Sequence, residues 1–255
     1  MTKRAFAISA HPDDIEFMMA GTLLLLKKAG YEIHYMTVAN GSLGSSVYSG
    51  MELPIVRGGE AKASAEIMGA IYHPPICADM EIFVNVETQS RMVPIIREVA
   101  PDIILTHGPY DYMEDHVNAG RLACTAAFAR GMPNFRCTPV KVAENDVAIY
   151  HSLPLSLKDQ LNKRIVPDFF VNVETEVETK KKALACHKSQ KEWLDQSQGF
   201  NSYIDDMVDR LVKTGELCGK CKYAEGWFRH NPCGFCAEDY DPLRRDLKDF
   251  VIERA

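Results

Sequence analysis

The sequence lacks a long apolar run. The first apolar stretch, residues 5–9, is cut short by His11-Pro12-Asp13-Asp14, and Lys27-Lys28 closes the next one, at residues 22–26. A secretory leader needs a longer apolar segment, and a membrane-spanning helix needs about 20 apolar residues. We therefore expect no signal peptide, no membrane partner and a cytoplasmic location.

The chain also lacks an excess of positive charge and a dinucleotide-binding glycine motif. It has 29 Lys and Arg against 35 Asp and Glu, a net charge of −6. Nucleic-acid binding usually leaves a basic footprint, so we expect no nucleic-acid partner. The glycines of residues 40–46 do not form G-x-G-x-x-G, so we expect no dinucleotide site. This loop could instead border an active site.

The patterns that are present predict alternating strands and helices. Residues 5–9 read as a strand, residues 16–29 as a helix ended by Gly30, and residues 32–38 as a second strand. Such a unit predicts a parallel sheet with a right-handed crossover. Other predicted strands are 80–84, 101–107, 147–150 and 168–172; other predicted helices are 52–69, 88–99, 116–130, 174–193 and a short one ending near 254. We therefore predict an α/β fold, a Rossmann-like and mostly parallel sheet with helices on both faces. We expect a single domain, 1–255, with a Cys-rich segment at about 215–240.

The stretch His11-Pro12-Asp13-Asp14 carries the strongest chemical signal. It places an imidazole and two carboxylates on a stiff turn between a strand and a helix, and these groups suit a divalent metal, zinc most readily. His11 and Asp14 are three residues apart and can point to one side, while Asp13 could hold a water beside the metal. The alternative is an ordinary helix-capping turn, in which Asp is common.

A second histidine follows another predicted strand. The strand at 101–107 is followed by a loop, and His116 then opens a helix. Since open parallel sheets bind ligands at the carboxyl ends of their strands, two adjacent strand ends would bring His11, Asp14 and His116 together.

These residues resemble the signature of the PIG-L/LmbE-like family of zinc-dependent N-deacetylases. The family pattern has A-H-P-D-D, a Gly-Thr downstream and a later histidine, which Ala10–Asp14, Gly21-Thr22 and His116 match. Weaker matches follow in the family's order and extend the resemblance over residues 5–200, at residues 57–69, 101–107 and 182–190; residues 223–228 also match.

The resemblance implies an LmbE-like fold and a role for each matched residue. His11, Asp14 and His116 would bind Zn²⁺ or another divalent metal, and Asp13 would be the general base. The candidate substrate-binding residues are Arg57, Asp115 and His187. The substrate would be an N-acetylglucosamine-type or related small acylated amine, although an ester, another acyl group or a thiol-sugar conjugate would fit the same chemistry. The assembly would be a homo-oligomer, a trimer or hexamer.

One position departs from the family. Met113 stands where many members have a histidine that stabilises the transition state or protonates the leaving amine, and methionine can do neither. The replacement could be His107, Tyr110, Tyr112, Glu114 or His187. The alternative to a deacetylase is a metal- and sugar-binding protein of the same fold with little or no turnover.

The cysteines raise a further hypothesis. Cys218-x2-Cys221 and Cys233-x2-Cys236 have the spacing of a second, structural zinc site, although these residues could simply pack within the deacetylase domain. A redox or structural zinc protein built on these pairs is the third and weakest hypothesis. We expect the scattered Cys77, Cys124, Cys137 and Cys186 to be reduced and buried.

Overall fold

A computed structural model describes residues 2–135, 141–197 and 203–254. The eight strands of its sheet are β1 (Arg4–Ser9), β2 (Glu32–Thr37), β3 (Ile71–His73), β4 (Ile103–His107), β5 (Ala148–Ser152), β6 (Phe169–Asn172), β7 (Ala224–Arg229) and β8 (Val251–Glu253). The helices are α1 (Asp14–Met18), α2 (Ala20–Lys28), α3 (Leu53–Met68), α4 (Val86–Val99), α5 (Glu114–Ala129), α6 (Val177–Leu184), α7 (Lys188–Ser197), α8 (Tyr203–Cys218) and α9 (Pro242–Asp246).

The sheet is mixed, with the strand order β3-β2-β1-β4-β5-β7-β6-β8. Strands β1 to β5 run parallel to one another, whereas β7 is antiparallel to β5 and β6, and β8 is antiparallel to β6. The predicted α/β class with helices on both faces is confirmed. The sheet takes strands from both ends of the chain, as a single domain would. The single domain over residues 1–255 stays a prediction.

Alternating side chains of the parallel strands enter two separate cores. Ala5 and Ala7 of β1 join one apolar cluster, with residues of α1, α2, α3 and α6. Phe6 and Ile8 join the other, with residues of α4 and α5. Since successive strand residues point to opposite faces, both faces of β1 are covered and every side chain from Ala5 to Ser9 is buried. No helix in the described part of the chain is long and apolar enough to cross a membrane.

The helix predicted at 16–29 is two helices that meet at Met19. The φ angle of Met19 is −134°, which breaks the helix. The new helix start leaves N–H groups without an intrahelical partner, and the carboxylate of Glu225 in β7 accepts from the N–H groups of Gly21 (2.9 Å) and Thr22 (2.8 Å). Gly21 is required here because an added Cβ would lie 2.6 Å from Val173. A negative charge also favours a helix N-terminus.

Three other predicted elements differ from the structure. Residues 80–84 form no strand, and only Ile82 of this apolar run enters a core. The helix predicted at 174–193 is a short 3₁₀ turn followed by α6 and α7, with a break after Leu184. The last predicted helix ends at Asp246, and the chain then adds β8 to the sheet edge. In the last case the pairing of β8 with β6 overrides the local pattern.

Lys180 lies inside the protein, although it belongs to a run of three lysines, residues 180–182, of the kind that is typical of a solvated helix face. Its side chain is fully buried and donates to Glu225, the carboxylate that also holds the start of α2. Breaking a buried ion pair from one side is strongly destabilising because it leaves a buried charge without its counter-charge.

We therefore expect Lys180→Met to lower the free energy of unfolding by about 3–5 kcal/mol. The matched control is Lys182→Met, at an exposed position of the same helix, which should change this free energy by less than about 0.5 kcal/mol. Urea denaturation of both variants measures the difference. Equal stability of the two variants would show that the Lys180–Glu225 pair contributes nothing.

Candidate metal and active site

The turn between β1 and α1 is not a simple helix cap. Asp13 has a left-handed backbone, with φ 104°, and its side chain makes no capping hydrogen bond to α1. Asp tolerates this conformation better than most residues. The turn is closed instead by Asp14, whose Oδ2 accepts from the His11 N–H at 2.7 Å. The carboxylate of Asp13 therefore remains available for another role.

The structure brings His11, Asp14 and His116 together. One potential ligand atom from each lies within 4.8 Å of the others. The topology explains this: β1 and β4 are paired and parallel, so the turn after β1 and the loop after β4 meet at the same edge of the sheet. His116 lies in the first turn of α5, directly after that loop.

Two further carboxylates orient the histidines. His11 Nε2 lies 2.9 Å from Asp115 Oδ2, and His116 Nδ1 lies 3.1 Å from Asp111 Oδ2. The other nitrogens, His11 Nδ1 and His116 Nε2, then face Asp14 at 3.6 and 3.4 Å. A histidine that binds a metal through one nitrogen and a carboxylate through the other is the usual arrangement in zinc sites. The donor set of two imidazoles and one carboxylate therefore fits zinc or a similar divalent ion.

Asp115 contacts His11 rather than the cavity predicted to hold the substrate. Its Oδ2 also accepts from the Met80 N–H at 2.8 Å, and its side chain is almost fully buried. The sequence resemblance had suggested a substrate contact for Asp115, but the observed position orients a histidine. Asp111 was not among the predicted site residues, and no spacing rule distinguishes it from other loop aspartates.

The cluster is strongly charged. Burial lowers the pKa of His11, but contacts with Asp115 and Asp14 outweigh it and raise that pKa to about 9. Burial likewise lowers the pKa of His116, but the contacts with Asp14 and Asp111 outweigh burial and raise that pKa to about 10. Burial would raise the pKa of Asp14, but the surrounding histidines hold it well below its usual range. Without a metal, both imidazoles are therefore protonated on both nitrogens and positively charged at neutral pH.

Asp13 is a buried carboxylate with a partner from far along the chain. Burial and the neighbouring charge of Asp14 raise the pKa of Asp13 to about 7. The hydroxyl of Tyr203 donates to Asp13 Oδ2. Sequence reasoning missed Tyr203, because 190 residues separate the two positions and no local motif surrounds it.

A cavity of about 320 Å³ opens beside these groups. His11, Asp13, Asp14 and His116 form one side, and the remaining lining includes Leu43, Gly44, Arg57, Tyr112, Met113, Gln190 and Trp193. The glycine-containing loop therefore borders the cavity, as the sequence suggested.

Arg57 lies in the cavity wall, where sequence resemblance placed it. Its guanidinium donates to the Gly44 carbonyl at 2.7 Å and to the Gln190 side chain. Arg57 is 2% exposed, and its Nε is buried without a hydrogen-bond partner.

His187 lies behind Asp13 and does not line the cavity. Its Nε2 is 3.0 Å from Glu16 Oε1, and the residue is buried. The role of His187 in substrate binding therefore stays a prediction, and the contact that the structure shows for it is with Glu16. Burial lowers the pKa of His187, but the charge of Glu16 more than offsets this and raises it.

Tyr112 is the replacement for the missing histidine that the geometry favours. Among the five proposed groups, all within the described residues, Tyr112 alone lines the cavity. Its ring meets His116 edge-on with 5.7 Å between ring centroids. Met113 precedes α5 and also lines the cavity. A residue with a hydroxyl thus lines the same cavity as Met113.

The structure separates the two cysteine pairs. Cys218 and Cys221 lie together, with 3.9 Å between their Sγ atoms, but all of β7 stands between them and Cys233 and Cys236. Six residues of strand span roughly 20 Å at about 3.3 Å per residue. Among the described residues, no cluster of potential metal ligands combines the pairs. The suggested four-cysteine zinc site is therefore not formed.

The scattered cysteines are less buried than predicted. Cys77, Cys124 and Cys186 are free thiols and only half-buried. Cys137 lies outside the described residues.

The fold and the site together define an α/β protein with a His-Asp-His cluster at the carboxyl edge of its parallel strands. The family model of PIG-L, GlcNAc-PI de-N-acetylase, matches residues 6–127. Diacetylchitobiose deacetylase from Thermococcus kodakarensis is 32% identical over 235 residues, which cover 88% of this chain and 82% of that protein. The chain belongs to the PIG-L family.

Two solved structures have a similar fold. N,N'-diacetylchitobiose deacetylase from Pyrococcus horikoshii has a TM-score of 0.74 and 24% identity, with coverage of 94% of this chain and 88% of that chain. The 4-carboxy-2-hydroxymuconate hydratase from Pseudomonas putida has a TM-score of 0.73 and 23% identity, covering 91% and 97%. Enzymes of two different reaction classes thus share this architecture.

The raised pKa values predict that metal binding expels protons. A histidine must be neutral to bind a metal, and His11 and His116 have pKa values of about 9 and 10. At about pH 7.5, which is below both of these pKa values and above that of an ordinary histidine, Zn²⁺ uptake should release about two protons at this site. The apparent affinity should rise with pH until it passes both values. Ordinary histidines, with pKa near 6.5, would release almost none.

Calorimetric titration in buffers of different ionisation enthalpy measures the protons released. His116→Ala is the control, because it removes a ligand with the most strongly raised histidine pKa in this cluster. Equal proton release by the wild type and His116→Ala would contradict this account of the cluster.

Proposed function

We propose that this protein is a metal-dependent N-deacetylase that removes an acetyl group from an amino-sugar or related small substrate. The observation that carries the proposal is the position of Asp13, a buried carboxylate next to the His11–Asp14–His116 cluster in the wall of one cavity. Membership of the PIG-L family supports it, as does the similarity to a diacetylchitobiose deacetylase. The comparisons do not favour a binding protein without turnover.

His11, Asp14 and His116 would hold the metal, with Zn²⁺ as the first choice for this donor set. A bound divalent ion supplies polarisation of the amide carbonyl and a lower pKa for water at the site. Asp115 and Asp111 keep the histidine rings in position.

Asp13 would act as the general base. A pKa near the working pH suits proton transfer in both directions, and burial brings the pKa of Asp13 to about 7 before any metal binds. Asp13 takes a proton as the water oxygen adds to the carbonyl carbon. The same proton can then pass to the leaving nitrogen as the C–N bond breaks, giving acetate and a free amine. Tyr203 holds one oxygen of Asp13 and so orients the other.

Tyr112 would donate a hydrogen bond to the oxygen on which negative charge develops. Burial is the largest of the effects that raise the pKa of the Tyr112 hydroxyl, so it remains a donor at neutral pH. Positioned donors of this type stabilise the transition state of acyl transfer.

The remaining cavity wall suits a polar ring with an apolar face. Arg57 and Gln190 offer polar groups, whereas Trp193 and Phe17 offer aromatic surface. Ligand sites commonly combine an apolar wall with a few polar groups that fix orientation. An acetylated amino sugar has both kinds of surface, which supports this substrate class.

The first experiment measures amine release from N,N'-diacetylchitobiose by the zinc-loaded protein. We expect Asp13→Asn to lower kcat by about 10²–10⁴-fold without loss of metal, because Asn tolerates the left-handed backbone. His116→Ala should lose metal and activity together. Since the fold is shared with a 4-carboxy-2-hydroxymuconate hydratase, water addition to an unsaturated hydroxy-tricarboxylate is assayed in parallel. Hydration without amine release would overturn the proposal.

A second experiment tests Tyr112. Tyr112→Phe should lower kcat by about 10²-fold, the usual cost of removing one donor to the developing oxyanion. Tyr110→Phe is the matched control, since Tyr110 is 63% exposed and does not line this cavity. Wild-type kcat in Tyr112→Phe would assign the donor to another group.

A further inference from the structure

A second cluster of metal-ligand side chains lies outside the site described above. Cys124 of α5, His151 of β5 and His230, directly after β7, each place one potential ligand atom within 4.8 Å of the others. His151 is buried, and the other two residues are half-buried. The cluster shares no ligand with His11, Asp14 and His116.

The backbone holds these side chains in place. The His230 N–H donates to the Ile149 carbonyl at 2.9 Å, which continues the pairing of β7 with β5. His151 Nδ1 lies 2.7 Å from the carbonyl oxygen of His107 and donates to it. This hydrogen bond leaves the lone pair of His151 Nε2 directed towards the cluster. A metal-binding histidine requires a fixed tautomer, and a hydrogen bond from the ring nitrogen that does not bind the metal fixes it.

The three potential ligand atoms converge on one point. His230 Nδ1 lies 2.8 Å from His151 Nε2 and 4.0 Å from Cys124 Sγ. Around a tetrahedral zinc, two nitrogens at about 2.0–2.1 Å from the ion would be roughly 3.3 Å apart, and a nitrogen and a sulfur roughly 3.6 Å apart. Changes of about half an ångström would therefore bring these two distances to those expected around zinc.

We propose that Cys124, His151 and His230 form a second metal site of the Cys-His₂ type, which takes Zn²⁺ as its ion. A thiolate with two imidazoles is a donor set that zinc binds in proteins. Zinc displaces the thiol proton of Cys124. The proton that His230 Nδ1 shares with His151 Nε2 moves to His230 Nε2, so both imidazoles bind the ion as neutral rings. This site, rather than the Cys-x2-Cys pairs, is where the fold brings sulfur and nitrogen ligands together.

The fourth coordination position is open. A cavity of about 240 Å³ is lined by all three ligands, and a second of about 290 Å³ is lined by the two histidines. A zinc with three protein ligands and an accessible position can bind water or a small anion. The ion can also enter from solvent through these cavities.

Metal content per chain tests the proposal on four zinc-loaded proteins: the wild type, His116→Ala, Cys124→Ser and Cys233→Ser. We expect two zinc ions in the wild type, one in His116→Ala, one in Cys124→Ser and two in Cys233→Ser. Cys233 is the matched control because it is exposed and lines an adjoining cavity with His230. A Cys124→Ser protein that binds as much zinc as the wild type overturns the proposal, as does equal loss in Cys233→Ser.

X-ray absorption at the zinc edge gives a second readout that needs no change at Cys124. In His116→Ala, the remaining zinc should show one sulfur at about 2.3 Å together with nitrogen ligands. A shell without sulfur, or a His116→Ala protein without zinc, would overturn the second site. If His116→Ala keeps two zincs and Cys124→Ser keeps one, the second site stands and the His11–Asp14–His116 assignment fails, so the two proposals fail separately.

Discussion

The carboxylate of Asp14 is the constraint on which the site depends. It accepts from the His11 N–H at 2.7 Å and lies 3.4 Å from both His107 and His116. One side chain thus joins the turn after β1, the end of β4 and the start of α5. A buried carboxylate without compensating partners would be costly, so its position requires cationic neighbours or a metal. The raised pKa values of the nearby histidines are the consequence of that requirement.

A second buried carboxylate, Glu225 of β7, has a similar role at the start of α2, the helix that follows α1. It binds two N–H groups and the hydroxyl at the start of α2, and it pairs with Lys180 of α6. This interaction explains why an apolar run that looks like one helix breaks at Met19. The break separates α1, which carries Asp14, from α2, whose first turn is held by Glu225 of β7. The residues that match the family at Gly21-Thr22 and in the segment around Glu225 therefore contact each other.

Local patterns predicted the parallel half of the fold and the convergence of His11, Asp14 and His116. Alternation of strand and helix is visible in the sequence, and two strand ends were enough to place the histidines together. The partners of these residues were not predictable in the same way, because Tyr203 reaches Asp13 across 190 residues with no local signature. The burial of Lys180 was not predictable because its local sequence, a run of three lysines, is typical of an exposed helix face. The cysteine pairs show the limit of spacing rules, because each pair has the spacing of a zinc site but an extended strand holds the two pairs apart.

The sheet topology explains why the chemistry lies at this edge. The chain builds outward from β1 through β2 to β3, then returns to place β4 on the other side of β1. Adjacent loops diverge at such a point and leave a crevice at the carboxyl ends of the strands. His107, the last residue of β4, is buried beside this edge, and its Nε2 accepts from the Ala10 N–H at 2.9 Å. Its carbonyl oxygen faces the other way and accepts from His151. The carbonyl at the end of β4 thus orients His151 of the second cluster, while the side chain of the same residue lies 3.4 Å from Asp14 of the first cluster, so the end of β4 contacts both.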